Sequence, residues 1–324
     1  MRRLTYAEAI NEATYQMMEE DSSVFLIGQG VTSPWYVGTT TEGLLEKFGG
    51  GRVIDTPVSE NGITGVATGA AIVGMRPILI HPRMDFMYLA MDQIVNQAAN
   101  WSYMFGGKVH VPLTIRGIIN RGGEQAAQHS QALQAIFSHI PGLRVVMPAT
   151  PYDAKGLLVA SVKDNNPVIY TDDRWLYSVK GNVPEELFLV PIGKGAIRKR
   201  GEDVTLVGVS YTVYESLKAA RELEREGISV EAIDLRTVKP LDKELLFESV
   251  RKTGRLVIAD SGWRSFGVSA EVSATVSENL FEYLKSPPVR VTLPDTPAPS
   301  SSALEKLFYP TKDTIISAIE QLFR

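Results

Sequence analysis

Strand and helix signals alternate along most of this chain, and that alternation constrains its fold more than any other feature. Short runs rich in valine, isoleucine and leucine recur, with helix-length segments between most of them. They lie at Val24–Ile27, Arg52–Asp55, Pro77–Ile80, Val111–Arg116, Leu143–Met147 and Pro167–Thr171. Strands that alternate with helices predict a parallel sheet covered by helices on both faces, which is an α/β fold.

The alternation weakens between Tyr177 and Ile197 and then starts again. The second series of strands is predicted at Val204–Val209, Val230–Asp234, Leu256–Ala259 and Val289–Leu293. A length of 324 residues suits two domains better than one. We therefore predict two successive doubly wound α/β domains, at residues 1–185 and 199–324, joined by a linker at residues 186–198.

Charge and composition exclude several classes of protein. The formal charge of −4, from 33 basic and 37 acidic residues, offers no basic footprint for nucleic acid. Cysteine is absent, so disulfides and cysteine nucleophiles are excluded and a reducing compartment is favoured. The N-terminus lacks the pattern of a signal peptide, and no apolar stretch reaches spanning length. We expect a cytoplasmic protein with no nucleic-acid or membrane partner.

Two helices are predicted to start at capping boxes, and a third has an unusual composition. Thr5 with Glu8, and Thr212 with Glu215, have the spacing of a capping box. The helix predicted over Asn61–Gly74 carries four glycines and several alanines, which is costly for an isolated helix but permits close approach. This composition is typical of a helix at a subunit interface and equally of a helix packed tightly against its own sheet, and the sequence favours neither interpretation.

The usual signatures of metal and hydrolase sites are missing. The histidines are His81, His110, His129 and His139, and none has metal-ligand spacing to another histidine or a supporting carboxylate. The sequence contains neither a Gly-x-Ser-x-Gly elbow nor a phosphate-binding Gly-x-x-x-x-Gly-Lys loop. Zinc enzymes, serine hydrolases and P-loop nucleotide hydrolases are therefore disfavoured.

Two short motifs remain as candidates for chemistry. Asp55–Gly62 follows a predicted strand and places Glu60 at the start of the glycine-rich helix, where a carboxylate could simply complement the helix dipole. Gln128–Gln131 follows another strand, at the sheet edge where ligands gather, although His129 could equally be a structural or solvated histidine. Neither motif is specific by itself.

Together, and in this order, the motifs resemble the β subunit of the decarboxylating component of 2-oxo acid dehydrogenase complexes, which is related to transketolases. The resemblance covers nearly the whole chain. It includes Asp55–Glu60, Arg76-Pro77, Asp92–Asn96, Ala126–Gln131, Asp153–Leu158, Asn166–Val168, Asp234–Thr237, Phe266-Gly267 and Pro294–Pro297. It implies a pyrimidine-binding domain for thiamine diphosphate followed by a transketolase C-terminal-like domain.

The resemblance also implies roles for particular residues. Glu60 would hydrogen-bond the aminopyrimidine ring of thiamine diphosphate and control its proton, and Phe86 would pack against that ring. His129, flanked by Gln128, would face the reacting carbonyl or an incoming lipoyl group and transfer a proton. Some relatives hold a potassium ion near four residues. The matching residues in this chain are Leu113, Ser161, Asp164 and Asn166.

Partners follow from the same resemblance. No Gly-Asp-Gly stretch, which holds magnesium and the diphosphate in thiamine diphosphate enzymes, occurs in this chain. The resemblance thus implies an α subunit that supplies this half of the site, in an assembly of two α and two β subunits. It also implies β–β contact through the C-terminal domain, a 2-oxo acid substrate, pyruvate first, and a lipoyl-bearing acyltransferase.

One segment departs from the pattern of relatives. His81-Pro82-Arg83 stands before Asp85-Phe86. We hypothesise that Arg83, together with His81, meets an anionic or sugar-like substrate, since a guanidinium suits bidentate contacts with phosphate or carboxylate. Alternatively, Arg83 pairs with Asp85 or with a partner chain. Two other functions stay open: the β half of a split transketolase that acts on sugars or sugar phosphates, and a non-enzymatic α/β binding module.

Overall fold

The computed structural model describes residues 2–33 and 37–323, which divide into two compact units. The first unit contains the residues up to Asn120 together with Ile136–Ile192, and the second contains Arg121–Ala135 and the residues from Gly193 onward. The short segment Arg121–Ala135 therefore clusters with the C-terminal part of the chain. The boundaries at 185 and 199 remain a prediction for the domain limits.

The first unit is built on parallel strands. Its strands are β1 (Arg2–Thr5), β2 (Val24–Gln29), β3 (Val53–Thr56), β4 (Arg76–His81), β5 (Thr114–Ile119), β6 (Arg144–Val146), β7 (Val168–Asp173) and β8 (Lys180–Val183). Six of them lie side by side in the order β6-β7-β5-β4-β2-β3, and the pairs among them are parallel. The strand order reverses between β2 and β4, so the sheet is doubly wound and has a switch point there.

Helices cover this sheet. They are α1 (Tyr6–Glu20), α2 (Leu44–Phe48), α3 (Glu60–Ile72), α4 (Ala99–Met104), α5 (Gln134–His139) and α6 (Pro151–Lys163). Shorter turns of 3-10 helix lie at Gly38–Thr41, Met84–Ala90 and Arg174–Leu176, and a π-helical stretch at Asp92–Ala98 leads into α4. The Thr5–Glu8 capping box is confirmed at the start of α1.

The second unit repeats the α/β plan with one antiparallel edge. Its strands are β9 (Ala196–Lys199), β10 (Val204–Gly208), β11 (Val230–Asp234), β12 (Thr237–Lys239), β13 (Leu256–Trp263) and β14 (Val289–Leu293). Its helices are α7 (Tyr211–Arg225), α8 (Lys243–Thr253), α9 (Val268–Leu280), α10 (Ser302–Phe308) and α11 (Lys312–Glu320), with a 3-10 turn at Phe281–Tyr283. One sheet has the order β14-β13-β10-β11-β9, in which β9 is antiparallel to β11.

The predicted α/β fold class is confirmed, with corrections to single elements. The capping box predicted at Thr212 and Glu215 is wrong, because α7 begins at Tyr211 and Ser210 is its N-cap. Thr212 instead donates its hydroxyl hydrogen bond to the carbonyls of Val209 and Ala259. The alternation signal also missed β8, which pairs antiparallel with β1. No helix within the described ranges 2–33 and 37–323 is long and apolar enough to cross a membrane.

A buried ion pair lies within the first sheet. The Arg116 guanidinium on β5 donates to the Asp172 carboxylate on β7 at 2.8 Å, and both side chains are fully buried. The Tyr177 hydroxyl donates to the same carboxylate oxygen at 2.7 Å. The pair therefore compensates two charges that would each be costly in the core.

We expect Arg116→Met to lower the free energy of unfolding by about 3–5 kcal/mol, because it leaves the Asp172 charge buried without its cation. Urea titration of the purified protein measures the change. Lys163→Met is the matched control, since the Lys163–Glu20 pair is exposed and is expected to contribute about 0–1 kcal/mol. Equal effects of the two substitutions would contradict this account.

Candidate active site

Glu60 is the first residue of α3, and the turn from β3 brings it to the carboxyl edge of the first sheet. Its side chain is largely buried, with 7% of the residue exposed. Within residues 2–33 and 37–323, no donor or cation lies within hydrogen-bonding or ion-pair distance of the carboxylate. Its oxygens are not among the fully buried side-chain atoms without a partner, so the carboxylate reaches the surface of the unit and is accessible to a donor from outside the described chain.

Phe86 lies in the 3-10 turn that follows β4. It is half-buried, and its backbone N–H donates to the Arg83 carbonyl at 3.2 Å. This turn packs against α3, whose first residue is Glu60. The switch point between β2 and β4 thus has a carboxylate after β3 and an aromatic ring after β4. A carboxylate and an apolar ring are the groups that a flat heterocycle with ring nitrogens requires, so these residues fit a pyrimidine.

His81 is the last residue of β4 and is almost completely buried, with 1% exposed. Its Nε2 lies 3.1 Å from the Thr64 hydroxyl, which itself donates to the Glu60 carbonyl at 2.6 Å. Since the hydroxyl has only one proton, Nε2 carries the hydrogen of the first contact. Burial lowers the pKa of His81 to about 4, so the ring is neutral. The Nε2 atom thus contacts the first turn of α3, while Nδ1 is buried and has no hydrogen-bond partner among the described residues, and the predicted substrate role of His81 stays a prediction.

Arg83 stands at the same edge as Phe86. It is half-buried, and its Nη1 donates to the Pro82 carbonyl at 3.0 Å. The same carbonyl accepts a hydrogen bond from the buried Asn120 side chain at 2.9 Å. The backbone of this turn is therefore fixed.

Gln128 and His129 belong to the second unit. Gln128 is exposed, and His129 is half-buried with its backbone N–H donating to the Ala126 carbonyl at 3.4 Å. The structure thus brings Glu60, His81, Arg83 and Phe86 together in one unit, and holds Gln128 and His129 in the other.

The residues predicted around potassium are already satisfied by protein groups. The Leu113 carbonyl accepts from the Val168 N–H at 2.9 Å, and the Ser161 carbonyl accepts from the Asp164 N–H at 3.2 Å. The Asp164 carboxylate accepts the backbone and side-chain N–H groups of Asn166 at 2.8 Å. Two arginines also contact Asp164. The Arg76 guanidinium donates to the Asp164 carbonyl at 3.0 Å, and the Arg144 Nε lies 3.1 Å from the Asp164 carboxylate. The Leu113 and Ser161 carbonyl oxygens each have a further lone pair beyond the one that accepts a hydrogen bond, so the potassium site stays a prediction.

Metal ligands of the usual kind are not clustered elsewhere. In the part of the chain that the structure describes, no group of three or more His, Asp or Glu side chains could hold a metal ion.

The residue that sequence reasoning missed is Thr64. The sequence indicates this residue only by its position, four residues after Glu60 in a predicted helix. At that spacing a threonine hydroxyl can donate a hydrogen bond to the carbonyl one turn earlier.

Comparison with known proteins identifies the family. The model of the transketolase pyrimidine-binding domain matches residues 2–178, and that of the transketolase C-terminal domain matches residues 193–315. The chain is 41% identical to the acetoin:2,6-dichlorophenolindophenol oxidoreductase subunit beta of Bacillus subtilis, over 99% of this chain and 97% of that protein. It is 42% identical to the pyruvate dehydrogenase E1 component subunit beta of Rickettsia bellii, over 99% and 98% respectively.

A further relative is the 2-oxoisovalerate dehydrogenase subunit beta of Bacillus subtilis, 40% identical over 99% of each chain. Among solved structures, a split-gene transketolase described as an inactive beta4 tetramer has the same fold, with a TM-score of 0.82, 24% identity and 98% of each chain covered. The chain therefore belongs to the family of β subunits of thiamine diphosphate-dependent 2-oxo acid and acetoin dehydrogenases, which contain the two transketolase-type domains. The predicted resemblance is confirmed.

The neutral state of His81 predicts a pH dependence of stability. Its pKa is about 4 in the folded chain against 6.5 when unperturbed, so the unfolded chain binds the proton more tightly. Stability should therefore fall as the pH drops from about 6.5 to about 4, by up to about 3 kcal/mol from this group. Urea unfolding of His81→Phe should lose that part of the pH dependence. The exposed His139→Gln should keep it, and an unchanged slope in His81→Phe would contradict this assignment.

Proposed function

We propose that this chain is the β subunit of a thiamine diphosphate-dependent dehydrogenase that decarboxylates a 2-oxo acid, with pyruvate as the first candidate. The observation that carries the proposal is the buried carboxylate of Glu60, which has no partner among the described residues. Full-length similarity to pyruvate, 2-oxoisovalerate and acetoin dehydrogenase β subunits supports the reaction class. A non-enzymatic binding module gives this carboxylate no role.

Thiamine diphosphate, when bound, supplies the carbanion that attacks a carbonyl and the ring that stores the electrons released by bond cleavage. Glu60 would accept a hydrogen bond from a ring nitrogen and hold its proton at the carboxylate. The Thr64 hydroxyl and His81 would fix the first turn of α3, and with it the position of Glu60. Phe86 would pack against the ring. His129 would donate or accept a proton at the reacting carbonyl or the acceptor, with Gln128 beside it as an orienting group.

The diphosphate and Mg²⁺ are assigned to an α subunit. The exposed face of α3 supports a partner there, because Gly62, Gly65, Val66, Gly69 and Val73 share one side of the helix. Val66 and Val73 are 61% and 80% exposed, and of the described residues none lies within 4 Å of a Cβ added at Gly69. Crowding against its own sheet therefore does not explain Gly69, whereas close packing with a second chain does.

The assembly proposed from the family is two α and two β subunits. A β–β contact through the second unit is supported by large exposed apolar side chains, since Phe266, Phe281 and Leu307 are 96%, 78% and 83% exposed. A lipoyl-bearing acyltransferase is the proposed acceptor partner. A cytoplasmic location is part of the same proposal and is supported by the absence of cysteine.

The second candidate is the β half of a split transketolase that transfers a two-carbon unit to a sugar or sugar phosphate. Arg83 favours it, since a half-buried arginine in the same turn as Phe86 could bind a phosphate or carboxylate. His81, at the end of β4 with its Nδ1 unpaired among the described residues, is the proposed neighbour of Arg83 in this role.

Glu60→Gln tests the first candidate. In the complex co-purified with its natural partner and supplied with thiamine diphosphate and Mg²⁺, carbon dioxide release from pyruvate with 2,6-dichlorophenolindophenol as acceptor should fall about 10²- to 10⁴-fold. Glu46→Gln, at an exposed position of the same unit, should leave this activity unchanged. Full activity of Glu60→Gln would rule out the assigned role.

Arg83→Ala tests the second candidate. If Arg83 binds an anionic group, KM for the substrate should rise about 10- to 100-fold, which corresponds to the loss of a charge-assisted hydrogen bond. The assay compares a panel of 2-oxo acids with a panel of sugar phosphates. Arg83→Lys should raise KM as well, because an ammonium group does not reproduce the planar fork of a guanidinium. Arg221→Ala, at an exposed position, is the control. An unchanged KM for every substrate turned over would remove Arg83 from the site.

A further inference from the structure

The segment Arg121–Ala135, which carries His129, has a strained backbone. Gly122 and Gly123 have φ values of 73° and 62°, and the non-glycine residues Glu124 and Ala126 have φ values of 62° and 58°. The left-handed region costs a residue with a Cβ roughly 1–2 kcal/mol. Such a conformation persists only where surrounding contacts fix it, so the contacts of this segment decide how firmly His129 is held.

The first anchor is at the C-terminal end of the segment. Gln134 is fully buried and donates its Nε2 hydrogen bond to the Asp260 Oδ1 at 3.0 Å. Asp260 is also fully buried, and its two oxygens accept the backbone N–H groups of Gly262 at 2.9 Å and Ser269 at 3.3 Å. Burial raises the pKa of Asp260 despite these three hydrogen bonds. A carboxyl group in this environment is more costly than an apolar side chain, which indicates that its hydrogen bonds have a specific use.

The location of Asp260 adds to this argument. It lies on β13, which neighbours β10 at the point where the strand order of the second sheet reverses. Open α/β sheets usually bind ligands in the crevice at such a switch point. In this chain the side chain of Gln134 enters that position, so the place is taken by the segment that carries His129.

The second anchor is at the other end of the segment. Glu305 on α10 is 7% exposed, and its carboxylate oxygens accept the Glu124 N–H at 3.2 and 3.3 Å. The Glu124 carboxylate in turn accepts the N–H of Ser302, the first residue of α10, at 3.4 Å. Two charge-assisted hydrogen bonds therefore tie the strained residue Glu124 to one helix. The buried Arg121 guanidinium also lies 5.6 Å from the centre of the Tyr309 ring.

We propose that Asp260 and Glu305 are positioning residues that hold the His129 segment in one conformation from both ends. Glu124 and Gln134 lie five residues before and five residues after His129, so the two anchors bracket it. The inference rests on the proposed function in one respect, namely that His129 acts on the reacting groups. It gives the C-terminal domain a part in the reaction, in addition to any subunit contact.

Hydrogen exchange measures the anchoring directly, in the complex co-purified with its partner. Glu305→Gln and Asp260→Asn should increase deuterium uptake in peptides that cover residues 121–135. Glu231→Gln is the matched control, since Glu231 is a buried carboxylate of the same unit that accepts from Lys252. It should leave uptake in this segment unchanged. If neither Glu305→Gln nor Asp260→Asn alters uptake there, the proposal is wrong.

A double-mutant cycle with His129→Ala separates positioning from general stability. We expect Glu305→Gln to lower kcat about 10- to 100-fold, with thiamine diphosphate affinity unchanged, because a small displacement of a reacting group is enough for such a loss. In the His129→Ala background the same substitution should have no further effect on kcat. Independent, multiplying effects would overturn the proposal. If His129→Ala itself left kcat unchanged, the assigned role of His129 would fail instead, while hydrogen exchange would still decide whether the two carboxylates anchor the segment.

Discussion

The carboxylate of Glu60 is the group on which the rest of this account depends. It is buried at the carboxyl edge of a parallel sheet, at the first turn of a helix, and no described residue offers it a hydrogen bond or a cation. The surrounding structure fixes the group, since the Thr64 hydroxyl and the neutral His81 ring hold the turn that carries it. A bound heterocycle would supply the missing donor, and by our proposal that heterocycle is the pyrimidine of thiamine diphosphate.

Each unit contains an open α/β sheet with a switch point, and the two switch points differ in use. In the first unit, a carboxylate and an aromatic ring lie at this edge, and the Glu60 carboxylate has no partner among residues 2–33 and 37–323. In the second unit, Asp260 at the corresponding edge accepts a hydrogen bond from Gln134. By our proposals, one of these edges is a ligand site and the other supports the His129 segment. The side chains at the two switch points differ, although both sheets reverse their strand order there.

The fold class and most strands were predictable from the sequence, because buried parallel strands are continuous apolar runs. Val230–Asp234 and Val289–Leu293 have the predicted bounds. The short strands β1, β8, β9 and β12 were not predicted, because they have no such run. Glu60 was recognisable only through its motif. The burial of His81 could not be predicted, since the residue at the end of a strand can face either the core or the sheet edge. The clustering of Arg121–Ala135 with the second unit depends on contacts with residues more than 100 positions away, which no local pattern reports.

The most direct test is an experimental structure of this chain in complex with its natural partner and thiamine diphosphate. We predict that a Glu60 carboxylate oxygen lies about 2.6–3.2 Å from a pyrimidine ring nitrogen, within hydrogen-bonding distance, with the diphosphate held by the partner. A structure in which the pyrimidine lies elsewhere, or in which Glu60 pairs with a protein group while the cofactor is bound, would contradict the account.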